Sequence, residues 1–180
     1  MLATTIPTAA VTDEIALLGP ERTLYSTSVP ADAIPDDRLT DKHRKALAYW
    51  RAKRGPYGAP RRADIDPCDL GAVLPNVVLW QIDGEPDYRC RLAGTDVCLN
   101  LIGNMQGILL GDLPCPLLPE ARREFDAARD EGLATLAERT LHWLGRPLTY
   151  YRHLLLPLVD DWGHRHQLLS VVTFHRAPQY

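Results

Sequence analysis

The chain has 180 residues, of which 46% are hydrophobic and 24% are charged, and this suits one globular domain with extensions. Its net charge of -3 excludes a global positive field that would draw the protein to nucleic acid or an anionic membrane. No apolar run approaches the roughly 20 residues of a membrane-spanning helix, and the first residues lack the basic part of a secretory signal, so we expect a cytoplasmic protein. Its four cysteines include no Cys-x-x-Cys pair, which favours reduced thiols.

Residues 1–39 contain four prolines among mixed polar residues. This composition predicts an irregular N-terminal arm, with one short helix near residues 14–18. Two interpretations stay open for the arm, which are disorder in solution and packing on a neighbouring subunit.

A flanking amphipathic helix is predicted over residues 40–54, with Thr40 as its N-cap. Residues 42–62 include eight basic residues and no acid. We interpret these charges as a solvent-exposed face and not as a nucleic-acid surface, because no base-reading motif accompanies them. The apolar face of the helix has four members at helical spacing: His43, Ala46, Leu47 and Trp50.

Two carboxylates lie two residues apart in the sequence Arg-Arg-Ala-Asp-Ile-Asp-Pro at 61–67. Asp66 precedes Pro67, which can start a helical turn, so Asp64 and Asp66 are suited to cap that turn with an arginine held against them. General acid/base or metal chemistry is the alternative, and capping explains the residues without it.

The rest of the chain has the pattern of a sheet interrupted by helices. Strands are predicted over 76–83 and 88–93 as a hairpin, and the period changes at Gly94 and Thr95 into a short helix. A longer helix is predicted over 119–130, residues 133–144 are ambiguous, and strands follow over 148–159 and 167–175. Together these elements predict an α+β fold with one antiparallel sheet and helices on one face.

Several short pieces occur together, in order, over about residues 40–176. The two most specific are Arg-x-Asp-Ile-Asp-Pro at 62–67 and Tyr-Arg-x-Arg-Leu-Ala-Gly-Thr at 88–95. The others are Tyr49-Trp50, Leu70…Leu74, Gly103…Gly107, Gly145-Arg146-Pro147 and Leu-Leu-Pro-Leu at 155–158. With these pieces the chain resembles a PAS domain, and more closely the PAS-like family common in alphaproteobacteria.

The resemblance implies a PAS-like five-stranded antiparallel sheet with helices on one face, as a domain over 40–180 with its core at about 64–176. It implies a regulatory or sensory module that binds a small ligand or a protein partner and has no catalytic output or catalytic residues of its own. Output then passes through a partner or a change in assembly. We expect a homodimer in which Leu47 and Trp50 form part of the subunit contact. The poor patterning of 133–144 departs from the family and predicts a sheet edge that is irregular or covered.

The PAS cavity implied by the resemblance lies between the sheet and the helical lids at 97–125. Haem is disfavoured because residues 96–131 contain no histidine, and Met105 is a candidate ligand only if it points inward. A flavin of the LOV type is disfavoured because the turn at 103–107 contains no cysteine. Six residues are candidates for ligand binding by position alone: Arg91, Thr95, Asn100, Asn104, Gln106 and Tyr151.

Other chemistry has weaker support in the sequence. His164 and His166 beside Asp160 and Asp161 could hold a metal, but such residues also suit a solvent-exposed turn, and we assign no metal site. Two alternatives to a ligand-binding sensor stay open. One is a protein-interaction adaptor with a filled cavity, and the other is an enzyme with an NTF2-like cone fold, which would need His142 or His153 to meet an acid.

Overall fold

The computed structural model describes residues 20–82, 84, 87–144 and 149–176. The helix predicted near residues 14–18 and the turn predicted at 145–147 lie outside this described part. Within it, no helix is both long and apolar enough to cross a membrane.

The described residues form one antiparallel sheet of six strands, in the order β1-β4-β5-β6-β2-β3. The strands are β1 (Thr23–Val29), β2 (Val77–Ile82), β3 (Tyr88–Ala93), β4 (Ala134–Thr140), β5 (Thr149–Val159) and β6 (Arg165–Arg176). The α-helices of this part are α1 (Asp41–Lys53), α2 (Pro67–Leu70), α3 (Thr95–Asn100) and α4 (Leu118–Asp130). The predicted α+β antiparallel fold is confirmed, with six strands rather than five.

The additional strand, β1, comes from the segment predicted to be an irregular arm. It pairs antiparallel with β4, so that Ser26 lies opposite Ala137 and Val29 opposite Ala134. Tyr25 packs against the core, with the Arg38 guanidinium 4.2 Å from its ring centroid. Prolines bracket this strand at positions 20 and 30 but do not interrupt it. The prediction of an irregular arm is therefore corrected for residues 23–29, and β1 covers the edge of β4.

Helix α1 packs on the face of the sheet opposite to α4. Its Trp50 side chain is 1% exposed and donates a hydrogen bond from Nε1 to the Pro157 carbonyl oxygen at 2.9 Å. Leu47 is buried in the same cluster, with Leu154 and Leu156 of β5. Both side chains are buried in the core of a single chain and leave no surface for a partner. The prediction that Leu47 and Trp50 form part of a subunit contact is therefore also corrected.

Strand β5 is buried on both faces, which explains its nearly continuous apolar sequence. Because side chains alternate along a strand, Leu154 and Leu156 face α1 while Leu155 faces α4. On the α4 side, the Phe125 ring lies edge-on to the rings of Trp80 and Tyr88, with centroids 5.3 Å and 5.0 Å away. The sheet is thus a middle layer with a helix on each face.

The carboxylates at 64 and 66 have the structural roles that the sequence indicates. Asp66 is the N-cap of α2, and its Oδ1 accepts a hydrogen bond from the Cys68 backbone N–H at 2.9 Å. Asp64 forms an ion pair with Arg61, and the guanidinium holds the pKa of that carboxyl below its usual value. Neither carboxylate faces the cavity described below.

Gly94 joins β3 to α3 at a point where no side chain fits. A Cβ built there would lie 2.3 Å from the backbone carbonyl oxygens of Leu74 and Pro75. The glycine of the Arg-Leu-Ala-Gly-Thr piece therefore allows the β3–α3 connection to pack directly on the backbone that precedes β2.

Candidate functional site

A cavity of about 80 Å³ lies between the sheet and the segments that cover its α4 face. Its floor consists of side chains that point to this face from four neighbouring strands. Residues two apart on a strand point to the same face of the sheet, so each strand adds one or two side chains to this floor. The floor residues are Val78, Trp80, Arg139, Tyr151, His153, Ser170 and Val172.

The roof of the cavity is apolar and comes from short turns between α3 and α4, and from α4 itself. Its main members are Leu101, Ile102, Met105, Leu110, Leu113 and Phe125. Sites for drug-sized molecules usually have volumes of about 300–1,000 Å³. As shaped, the cavity therefore accommodates a molecule of few atoms and is too small for haem or a flavin.

One end of the cavity is polar and is organised by Arg139. Its side chain is 1% exposed and forms a buried ion pair with Glu124 of α4, with Nη2 and Oε1 2.5 Å apart. Glu124 also accepts a hydrogen bond from the Ser26 hydroxyl of β1 at 2.6 Å. Burial acts to lower the pKa of Arg139, but Tyr151 and Glu124 outweigh it and the pKa is raised. Arg139 therefore stays charged.

Two donors in the cavity wall have no hydrogen-bond partner in the part of the chain that the structure describes. They are Nε of Arg139 and Nε1 of Trp143, and both atoms are buried. A buried polar group without a partner costs about 1–3 kcal/mol. Both residues line the cavity, but the two unpaired atoms lie behind its surface, which is almost entirely apolar.

His153 lies in the floor between the polar end and Phe125. Its Nε2 is 2.7 Å from the Ser170 hydroxyl oxygen. Burial and the nearby Arg139 charge lower the pKa of His153 to about 3, so the ring is neutral near pH 7. Its partner is a hydroxyl, so His153 does not form the acid dyad that the cone-fold enzyme alternative requires.

A family model described as a PAS domain matches residues 40–173, which is well over half of the chain. The chain belongs to the PAS domain family. Searches of curated proteins and of solved structures find no match. Strand β1 lies before the matched segment, so this PAS domain carries an added strand beside β4.

Of the six predicted ligand-binding residues, the structure of this PAS domain places only Tyr151 in the cavity wall. Arg91 lies on the exposed face of edge strand β3, and Thr95 is exposed at the start of α3. Asn100 donates a hydrogen bond to the Asp96 carbonyl oxygen at 2.8 Å.

Asn104 and Gln106, the two remaining candidates, are exposed in the turn after α3. Asn104 Oδ1 accepts from the Gln106 backbone N–H at 3.0 Å, so this pair stabilises the turn. The hydrophobic residues around them, Leu101, Ile102 and Met105, point inward instead.

Sequence reasoning missed Arg139, Trp143, Ser170 and Phe125 as members of the site. Arg139 belongs to the segment whose pattern was ambiguous, and it lies on the face of β4 that meets α4. An arginine among small and apolar strand residues was the available signal.

The β5–β6 turn, considered above for metal binding, is held by its own hydrogen bonds. Asp160 Oδ1 accepts from the backbone N–H groups of Trp162 and His164 at 2.9 and 2.8 Å. Across the described residues, no group of three or more His, Cys, Asp or Glu side chains is arranged to hold a metal ion.

Proposed function

We propose that this PAS domain is a regulatory sensory module that binds a small molecule in its cavity. PAS domains are typically non-catalytic sensory modules. The observation that carries the proposal is a cavity with apolar walls between the sheet and the segments that cover it. Small-molecule sites are usually concave and lined mostly by hydrophobic side chains in this way.

The same site supports a route for output. A ligand at this end of the cavity lies beside Arg139, which forms an ion pair with Glu124. Glu124 in turn accepts a hydrogen bond from Ser26 of the added strand β1. Occupancy that shifts Arg139 therefore changes the contacts between α4, β4 and β1. Output then passes to a protein partner or to a change in assembly.

A homodimer is part of this proposal, with a contact outside α1. The outer edge of β1 is not paired with any other strand of the described part, and such edges are templates for strand pairing. Size-exclusion chromatography with light scattering tests this, since a strict monomer at high concentration would contradict it.

A protein-interaction adaptor is the second candidate, and two observations favour it. The cavity is small, and two large apolar side chains, Leu99 and Trp162, are 73% and 75% exposed. Tryptophan in particular is enriched at the centres of protein interfaces.

Native mass spectrometry of freshly purified protein separates the two candidates. A sensor retains a small molecule, and Ala121→Leu, which adds volume at the cavity wall, should release it. Ala127→Leu is the matched control, because Ala127 lies on the same helix but does not line the cavity. Protein that carries no small molecule, and takes up none from a cell extract, would support the adaptor.

A further inference from the structure

We propose that two copies of this protein join through the outer edges of their β1 strands, which pair antiparallel about a twofold axis between the two Thr27 residues. The inference rests on the proposed homodimer and adds its contact surface and its register. It follows from the open edge of β1, from the faces to which its side chains point, and from the residues that such an axis brings together.

The two edges of the sheet differ in how they are covered. At β3, the residues after α3 run beside the edge, where the Cys90 backbone N–H donates to the Ile108 carbonyl oxygen and the Gly107 N–H donates to the Cys90 carbonyl oxygen. At β1, the described residues provide no second strand beyond β4. The edge of β1 is therefore the one that can accept a strand from another molecule.

Strand β1 also lacks the features that usually protect a sheet edge. Natural edges carry charged side chains, prolines or bulges, which hinder pairing with another chain. The sequence from Thr23 to Val29 contains no charge and no proline. Its register with β4 shifts between Thr23 and Tyr25, so residues 25–29 are a regular stretch of five residues. This stretch is a template for a second strand.

The side chains of β1 alternate between the two faces of the sheet. Ser26 points to the α4 face, where its hydroxyl donates to Glu124, whereas Tyr25 and Val29 pack against the core on the α1 face. Residues opposite each other in an antiparallel pair point to the same face. A twofold axis between two β1 strands must therefore pass between two copies of one residue and keep each face on its own side.

An axis at Thr27 pairs the whole regular stretch with itself. On the α1 face, Tyr25 lies opposite Val29 of the second copy, and the two Thr27 residues lie opposite each other. On the α4 face, Ser26 lies opposite Ser28 of the second copy. Aromatic with β-branched pairs and pairs of hydroxyl residues are stabilising across strands, and no like charges meet. An axis at Ser26 would instead set Leu24 against Ser28 and include the irregular end of the strand.

The five residues have surface for a second strand to cover. Ser26 is exposed, and the other four residues are only partly buried. On the α4 face, Ser26 and Ser28 border an open groove of about 220 Å³. The second strand therefore reaches this edge without displacing side chains of the core.

Single cysteines test the register in the full chain, with the exposed Cys68 changed to serine. Opposite residues of an antiparallel pair have Cα atoms about 4.5–5.5 Å apart, which suits a disulfide. Thr27→Cys should therefore form a covalent dimer under mild oxidation, seen on a non-reducing gel. Ser26→Cys is the matched control, because its copies lie diagonally, about 7–8 Å apart, and should stay uncrosslinked. A mixture of Ser26→Cys and Ser28→Cys chains should crosslink.

A charge at the axis tests the contact without a crosslink. Thr27→Lys sets two like charges opposite each other and should raise the dimer dissociation constant at least about five-fold, measured by light scattering across a dilution series. Leu92→Lys, on β3 at the other edge of the sheet, is the control and should leave the constant unchanged. Circular dichroism confirms that both variants are folded.

The outcomes separate this inference from the functions on which it rests. A dimer in which Ser26→Cys crosslinks and Thr27→Cys does not, or which Thr27→Lys leaves intact, overturns the proposed contact and keeps the homodimer. A monomeric wild-type protein overturns both. The retention of a small molecule in native mass spectrometry reports on the sensor function and does not depend on either result.

Discussion

The carboxylate of Glu124 on α4 pairs with the guanidinium of Arg139 on β4, and both side chains are buried beside the cavity. This ion pair joins the helix to the sheet and also sets the charge of the polar end. Because α4 supplies Phe125 to the cavity roof, the same pair fixes the position of roof and floor.

Removing one partner of this pair should be strongly destabilising. Glu124→Ala leaves the Arg139 charge buried and unpaired, and we expect the free energy of unfolding to fall by about 3–5 kcal/mol. Urea unfolding followed by far-UV circular dichroism measures this. Glu131→Ala, at the exposed end of α4, is the control and should change stability by at most about 0.5 kcal/mol. The double variant Glu124→Met/Arg139→Met should recover most of the loss, and a single-variant cost under about 1 kcal/mol would contradict this view of the pair.

The buried His43 makes stability depend on pH. Its Nδ1 accepts from the Thr40 backbone N–H, so Nε2 carries the hydrogen and donates to the Val171 carbonyl oxygen at 3.1 Å. Burial lowers the pKa of His43 to about 4, whereas an unfolded histidine titrates near 6.5. The unfolded state therefore binds the extra proton, and stability is lost as pH falls from about 6.5 to about 4.

The variant His43→Gln isolates this contribution. Its free energy of unfolding should fall less steeply than that of the wild type between pH 6 and pH 4.5, by about 1.4 kcal/mol per pH unit. The comparison at pH 8 is the control, because His43 is then neutral in both states and the difference reports packing alone. Parallel slopes for the two proteins in the acidic range would refute the assignment.

Two tryptophans offer a matched test of α1 packing. Trp50→Phe loses the hydrogen bond to Pro157 and leaves a small void, and we expect the free energy of unfolding to fall by about 2–3 kcal/mol. Trp162→Phe, in an exposed turn, should cost no more than about 0.5 kcal/mol. Thermal and urea unfolding provide the measurement, and equal effects of the two substitutions would show that α1 is not docked as described.

Alanine substitutions at two glycines distinguish the stability cost of a steric clash from the cost of a left-handed backbone conformation. Gly94→Ala places a methyl group 2.3 Å from two backbone oxygens, and we expect a loss of about 3 kcal/mol. Gly58 has φ of +77° but no heavy atom within 4 Å of its built Cβ, so Gly58→Ala should cost only about 1 kcal/mol. Differential scanning calorimetry compares them, and a mild Gly94→Ala phenotype would show that the β3–α3 connection can move away.

The sequence predicted the elements whose apolar residues follow a regular period, as in α1, or form a nearly continuous run, as in β5. The apolar face of α1 follows a helical period, so its four members, which include His43 and Trp50, are all buried as expected. In contrast, β4 places Glu138 and Arg139 beside small and apolar residues, so it has neither an alternation nor an apolar run to read. Strand β1 is mostly Ser and Thr, and its apolar residues Leu24, Tyr25 and Val29 do not alternate.

The candidate site was harder to predict than the fold. The sequence indicates that the cavity lies under the segment after β3, but the turns there decide which side chains point inward. Met105 faces the cavity while its neighbours Asn104 and Gln106 face solvent. No period describes such a turn, so position along the chain alone did not show which side chains point inward.

Strand β1 also determines where a shorter fragment of this protein can begin. A fragment that starts at the family boundary, residue 40, retains the cavity-lining residues but lacks the Ser26 hydroxyl that helps hold Glu124. It would also leave the backbone N–H and C=O groups along one edge of β4 unpaired, and such an edge promotes aggregation. Poor behaviour of such a fragment would reflect where it was cut, and the shortest version worth purifying keeps the whole of β1, Thr23–Val29.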